Sequence, residues 1–347
     1  MLEYSNNDKE KKNKIPEVKT FPVPFPSREV EEDITIKNNT SSEPSETSEG
    51  QIINQAIQCH IKGNISEASK YYKQLINQGC NDHRVYSNYG GILQIIGKLK
   101  EAEVSIRKAI ELKPDFAEAH SNLGNLFRDL GQPQEAELSL RKAIKIRPDF
   151  SNAHYNLGNI LRDLGKLKEA EISIRKSIEL KPDFAESHLN LGSILIDLGQ
   201  FQQAESATRK AIELKPHLAE AHSNLGRIFY KLVNLKEAEL YFLKAIQLKP
   251  NLAEAHSNLG IVLHDRGKIQ EAELSLRKAI EIKTDFAIGY YHLSNFYSKE
   301  EDFRKAYQEI KLASKYGPKN HLIQGELTRL KFIIDKYDKK NSKANNL

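Results

Sequence analysis

Apolar positions recur along most of this chain with the period of a helix rather than that of a strand. In 117–130, Ala119, Leu123, Leu126, Phe127 and Leu130 keep the i, i+3, i+4, i+7 spacing of a single helix face. In 135–146, Ala136, Leu140, Ala143, Ile144 and Ile146 form a second stripe. Gly131 between them suits the left-handed conformation that ends a helix, and Pro133 suits the first turn of the next. Asp115, with Glu118 three residues on, reads as an N-cap and capping box opening the first helix. Such a segment is a helix hairpin whose two stripes need neighbours to cover them.

The hairpin repeats every 34 residues. Ala68, Ala102, Ala136, Ala170, Ala204, Ala238, Ala272 and Ala306 keep the step without a miss, and Gly90, Gly124, Gly158, Gly192, Gly226 and Gly260 follow it. Pro114, Pro148, Pro182, Pro216 and Pro250 close successive periods. Seven units fill 83–320, and a degenerate unit at 49–82 keeps Gly63, Ala68 and Tyr72 without the proline. A fixed period of this length predicts a stack in which each unit touches only its neighbours. The pattern departs locally. Val233 and Glu301 replace the turn glycine, Thr284 the proline, and Ser294 the glycine of the first helix. Asn234, just after Val233, is expected to take the left-handed turn there.

Counting 117 as position 1, the unit carries His120, Leu123-Gly124, Phe127, Ala136, Leu140, Ala143 and Pro148 at positions 4, 7–8, 11, 20, 24, 27 and 32. In these positions it resembles the tetratricopeptide repeat (TPR), with histidine where that family usually has a large aromatic. The resemblance implies an all-α fold, a right-handed superhelical α-solenoid, and Leu322, Leu327, Leu330, Phe332, Ile333 and Ile334 predict one more amphipathic helix at 321–337 that caps it. Residues 1–48, which include Phe21-Pro22-Val23-Pro24-Phe25-Pro26, are expected to be disordered with a polyproline tendency, and 338–347 to form a disordered tail.

Composition narrows the function. The net charge is +5 over 347 residues, with −4 on residues 1–50 and +9 on the rest, too little to imply nucleic acid. No run reaches the ~18–20 apolar residues of a membrane span, and the first residues hold no apolar stretch of the secretory kind. Cys59 and Cys80 cannot make a disulfide framework or a four-ligand zinc site. A soluble, cytoplasmic protein without metal or cofactor is expected.

Candidate chemistry recurs with the repeat. His120, His154, His188, His222 and His256 invite a metal reading, but equivalent positions lie about 10 Å apart, whereas zinc holds its ligands at about 2 Å. A packing role is expected instead. Arg107-Lys108, Arg141-Lys142, Arg175-Lys176, Arg209-Lys210 and Arg277-Lys278 look like a phosphate-binding stripe. Each Arg, however, has a Glu at i−4, and four have a Glu at i+4 (Glu111, Glu179, Glu213, Glu281), the pattern of a salt-laced solvent face. No phosphate loop or nucleophile–base arrangement is present, and a residue repeated in every unit is poorly suited to the single convergent pocket that catalysis needs.

Asparagines at position 6 are the exception. Asn88, Asn122, Asn156, Asn190, Asn224 and Asn258 run through six units and stop at His292. Asparagine is a poor helix former, so its persistence inside a helix needs a reason. Duplication of one parental repeat is one; function is another. The Asn-Leu-Gly triplets are similar to the asparagine ladder in the TPR arm of O-linked N-acetylglucosamine transferase. That resemblance implies a groove in which these amides hold the backbone of an extended peptide. Asp129, Asp163, Asp197 and Asp265 at position 13 share the face and are expected to make it acidic, with Glu118, Glu186, Glu220 and Glu254 partly spent on capping. The face has only Arg84, Arg227, Lys231 and Lys299 as cations, which disfavours a carboxylate clamp. The expectation is a non-enzymatic scaffold for a protein or peptide partner, with no nucleic acid or membrane and with self-association possible. The alternative is a substrate-presenting subunit, or degenerate relative, of such a glycosyltransferase.

Overall fold

A computed structural model describes residues 48–344, and the expectations for 1–47 and 345–347 lie outside the described residues. The chain divides into two compact units, Met1–Asn156 and Leu157–Leu347. The first holds α1 (Ser48–Ile61), α2 (Ile65–Asn77), α3 (His83–Ile95), α4 (Leu99–Leu112), α5 (Ala117–Asp129) and α6 (Pro133–Ile146). The division falls within α7 (Ser151–Asp163). The second unit continues with α8 (Leu167–Leu180), α9 (Ala185–Asp197), α10 (Phe201–Leu214), α11 (Ala219–Lys231) and α12 (Leu235–Leu248). It ends with α13 (Ala253–Asp265), α14 (Ile269–Ile282), α15 (Ala287–Lys299), α16 (Phe303–Tyr316) and α17 (His321–Ala344). Among the described residues all regular structure is helical, and the architecture is an all-α solenoid. The last helix passes residue 337, since no glycine or proline in that stretch stops it.

Consecutive helices pack as hairpins: α3 on α4 and α5 on α6 in the first unit, α9 on α10, α11 on α12, α13 on α14 and α15 on α16 in the second. First helices also touch across hairpins, α3 with α5, α9 with α11 and α13 with α15. Close approach requires small residues. All eight repeat-register alanines from Ala68 to Ala306 are fully buried. At Gly124 a Cβ would stand 2.6 Å from Leu140 Cγ and 3.1 Å from the Ala136 carbonyl, so only glycine fits without a shift. Ser294 solves the same crossing differently, donating its hydroxyl to the Ala306 carbonyl at 2.8 Å.

Three local expectations are corrected. The N-cap of α5 is Phe116 rather than Asp115, in extended conformation and without a side-chain cap. Its N–H bonds the Lys113 carbonyl at 3.1 Å, and this turn carries the ring into the core. Glu118 is therefore free of capping and pairs with Arg147. At the 233 turn Val233 itself takes φ 59°, while Asn234 remains at φ −90°; Glu301 does likewise at φ 60°. The Gly131 turn and the Pro133 start form as the sequence predicts.

Candidate functional site

The ladder face is set by the contacts between first helices. Asn88, Asn122, Asn156 and Asn224 are buried, each at 6% exposure or less, while Asn190 and Asn258 are half-buried. Three amides bond the preceding repeat. Asn122 Nδ2 donates to Ser87 Oγ at 3.1 Å, Asn190 Nδ2 to Asn159 Oδ1 at 2.6 Å, and Asn224 Nδ2 to Ser193 Oγ at 2.8 Å. Sequence reasoning missed Ser87, Asn159 and Ser193. Their signal was a small polar residue at position 5 or 9 of the unit before each asparagine. Asn88 has no such partner, because positions 5 and 9 of the unit before it are Ile53 and Ile57. Neither of its amide atoms is hydrogen-bonded, although it lies beside Tyr72, whose hydroxyl burial pushes up.

Two of the position-13 carboxylates, Asp197 and Asp265, are paired with cations, which lessens the acidity expected of the face. Asp129 accepts from Gln94 Nε2 at 2.6 Å. Asp197 lies between Arg162 at 2.9 Å and Arg227 at 3.1 Å. Asp265 accepts from Tyr230 at 2.8 Å and Lys299 at 3.0 Å, and these bonds hold it below the usual carboxylate range despite partial burial, which opposes them. Asp163 is exposed. The position-2 glutamates pair with the cation at position 31 of their own unit: Glu186 with Lys215 at 2.5 Å and Glu220 with Lys249 at 2.9 Å.

In the second unit the face contains a pocket of about 190 Å³ lined by Arg227, Tyr230, Lys231, Asn258, Ile261 and His292, with Phe242 behind. Lys231 is exposed, and no ion pair reaches it among the described residues. Burial lowers His292 to about 4, so its ring is neutral at pH 7.

The position-4 histidines pin repeat junctions. His120, His154, His188 and His256 each place Nε2 2.9–3.0 Å from the proline carbonyl six residues back. A carbonyl only accepts, so Nε2 carries the proton. Among the described residues no group of three or more His, Cys, Asp or Glu could hold a metal. On the second helices the Glu–Arg pairs form as expected, from Arg107–Glu103 at 2.8 Å to Arg277–Glu273 at 2.9 Å. The second glutamate binds lysine instead, as in Lys176–Glu179 at 2.6 Å. Among the described residues no helix is long and apolar enough to cross a membrane.

Stacked helical hairpins with one packing register define a class, the all-α repeat solenoids. Family models of the tetratricopeptide repeat match residues 83–116, 106–137, 124–165, 151–184, 189–253 and 241–273. The chain is a tetratricopeptide-repeat protein. Two solved structures share its fold. The APC/C hetero-tetramer Cut9–Hcn1 is 15% identical at TM-score 0.61, over 82% of this chain and 56% of that one. The chain thus spans little more than half the length of that relative. A tetratricopeptide repeat protein from Parabacteroides merdae is 20% identical at TM-score 0.63, over 75% and 98% of the two chains. No curated protein matches the chain.

Proposed function

We propose that this chain is an interaction scaffold, without catalysis of its own, that holds an extended segment of a partner protein on the first-helix face of its second unit. The observation behind this reading is the pocket where half-buried Asn258, its amide unbonded among the described residues, adjoins the exposed ammonium of Lys231. One unit earlier, Asn190 spends Nδ2 on Asn159 and keeps Oδ1 for a ligand N–H. An extended peptide advances about 3.3 Å per residue and first helices repeat at about 10 Å, so one unit meets roughly every third ligand residue. Asn88, Asn122, Asn156 and Asn224 expose too little surface for such contacts, and of these Asn122 and Asn224 bond the preceding repeat instead. With Asp197 and Asp265 paired with cations, the face has a weakened acidic field with which to select basic segments.

An array of synthetic twelve-residue peptides of varied charge, probed with the full-length protein, tests the reading. Replacing Asn190 and Asn258 with alanine should weaken capture several-fold, at about 0.5–1.5 kcal/mol per hydrogen bond lost. Capture unaffected by both changes would remove this face from the function.

A further inference from the structure

At two adjacent positions, 21 and 22, the second helices invert the usual order of apolar inside and polar outside. At position 22, Val104, Leu138, Ile172, Leu240 and Leu274 are 63–72% exposed. The glutamate just before is the more buried residue, with side chains of 12–15% exposure at Glu137, Glu171 and Glu239. Each of these glutamates is held by an arginine, Arg141, Arg175 and Arg266 in turn. An aliphatic side chain left in water at the same register of unit after unit is a surface that a partner would cover.

In the second unit this row reads Ile172, Ser206, Leu240, Leu274 and ends at Gln308, with serine as its one break before that end. At the break α8 and α10 border a cleft of about 590 Å³, floored by Ile178 and Ala207 with Leu191 and Leu195 of α9, and edged by Arg175, Glu179 and Lys210. Its cause is local. Positions 22–24 are Ser206-Ala207-Thr208, where α12 has Leu240-Tyr241-Phe242 and α14 has Leu274-Ser275-Leu276.

We propose that this row is the interface through which the second unit pairs with that of a second copy of the chain. A two-fold axis between the α10 and α12 positions sets Leu240 of each copy into the Ser206 cleft of the other. Equal spacing then brings Ile172 against Leu274 on both sides. Such a contact is isologous and closes after two copies. Charge favours the same register. Glu237, one helical turn before Leu240 on the same face, arrives at a cleft edge where Arg175 and Lys210 are already paired with Glu171 at 3.0 Å and Glu213 at 2.6 Å, so it is the absence of an opposing like charge that favours the register. The position that would oppose it is Gln203, where every other unit from 83 to 286 has glutamate: Glu101, Glu135, Glu169, Glu237 and Glu271. The row lies on the second helices, apart from the ladder asparagines, and the proposal stands independently of peptide binding.

Sedimentation equilibrium of the full-length protein across the micromolar range tests it. Wild type should fit a monomer–dimer equilibrium. Leu240→Glu, which charges the knob, and Ser206→Leu, which fills the cleft, should each weaken association by roughly tenfold or more. Leu138→Glu, in the first unit's row, should leave it unchanged. Circular dichroism confirms that the exposed substitutions keep the fold. A wild-type protein that stays monomeric throughout overturns the proposal. So does a dimer indifferent to Leu240→Glu, or one weakened equally by Leu138→Glu.

Discussion

His292 Nδ1 lies 2.8 Å from the hydroxyl of Ser257, thirty-five residues back, the separation that also joins Asn122 to Ser87. Where the asparagines stop, an imidazole takes over the bond between units. It does so as a neutral ring, since burial lowers it to about 4. His60, buried in the first hairpin, is lowered to about 4 for the same reason.

Acid should therefore open the array. Both rings titrate lower in the folded chain than in the unfolded one, whose ordinary value is 6.5. Between these values the unfolded state binds more protons, so the contribution is complete above about pH 6.5 and is lost as pH falls towards 4. Each ring is worth on the order of 2–3 kcal/mol over that window. Thermal melts from about pH 7 to pH 4 should show a falling midpoint, less steep in His292→Gln. A midpoint flat over this range would mean that the rings are not held neutral.

The ladder amides should separate by their bonds. Asn122→Ala removes the bond to Ser87 and should cost about 1 kcal/mol even though alanine is the better helix former. Asn88→Leu replaces a buried amide with neither atom bonded and should be neutral or stabilising. Urea denaturation of the two variants gives the comparison, and equal destabilisation would contradict the assigned pairing.

Two turns store strain. A β-branched residue with positive φ is unfavourable, and Val233 adopts φ 59° while 79% exposed, so its side chain offers little packing in return. Val233→Gly should stabilise the protein by about 1 kcal/mol, with Glu301→Gly following in the same direction. A lower melting temperature for Val233→Gly would show that the turn is not strained.

Faces of the second helices can be checked by a pair of changes. Ala170 is fully buried, and Ala170→Leu should destabilise by about 1–3 kcal/mol through overpacking. Arg175 pairs with Glu171 at 3.0 Å on the solvent side, and Arg175→Ala should cost about 0.5 kcal/mol. Equal shifts in the melting curve would reverse the two faces.

The hairpins were legible because Ala136, Gly124 and Leu140 meet within one unit, at a spacing helix geometry dictates. The Glu–Arg rows were legible for the same reason, with both partners on one helix. What eluded the sequence lies in three dimensions. Asp197 has the same neighbours in sequence whether its carboxylate faces solvent or Arg227 of the next unit. Asn122 lies on the stated face, yet only the packing of α3 on α5 tells whether its amide points to a ligand or to Ser87. At the 233 turn the expectation followed intrinsic preference, which favours Asn234. The hairpin's length decided instead, since the left-handed residue must directly follow Leu232.

The bonds between units have a consequence for how such a gene can change. Asn224 reaches Ser193 across one period, and removing residues 219–252 as a block would bring Asn258 to the place Asn224 now holds, opposite the same serine. The proline–histidine pin would re-form in the same way, with His256 meeting the carbonyl of Pro216. Loss of this unit in frame therefore leaves the seam it closes chemically matched. Length can drift in steps of 34 residues while selection acts on the handful of positions, such as Ser206, where one unit differs from its siblings.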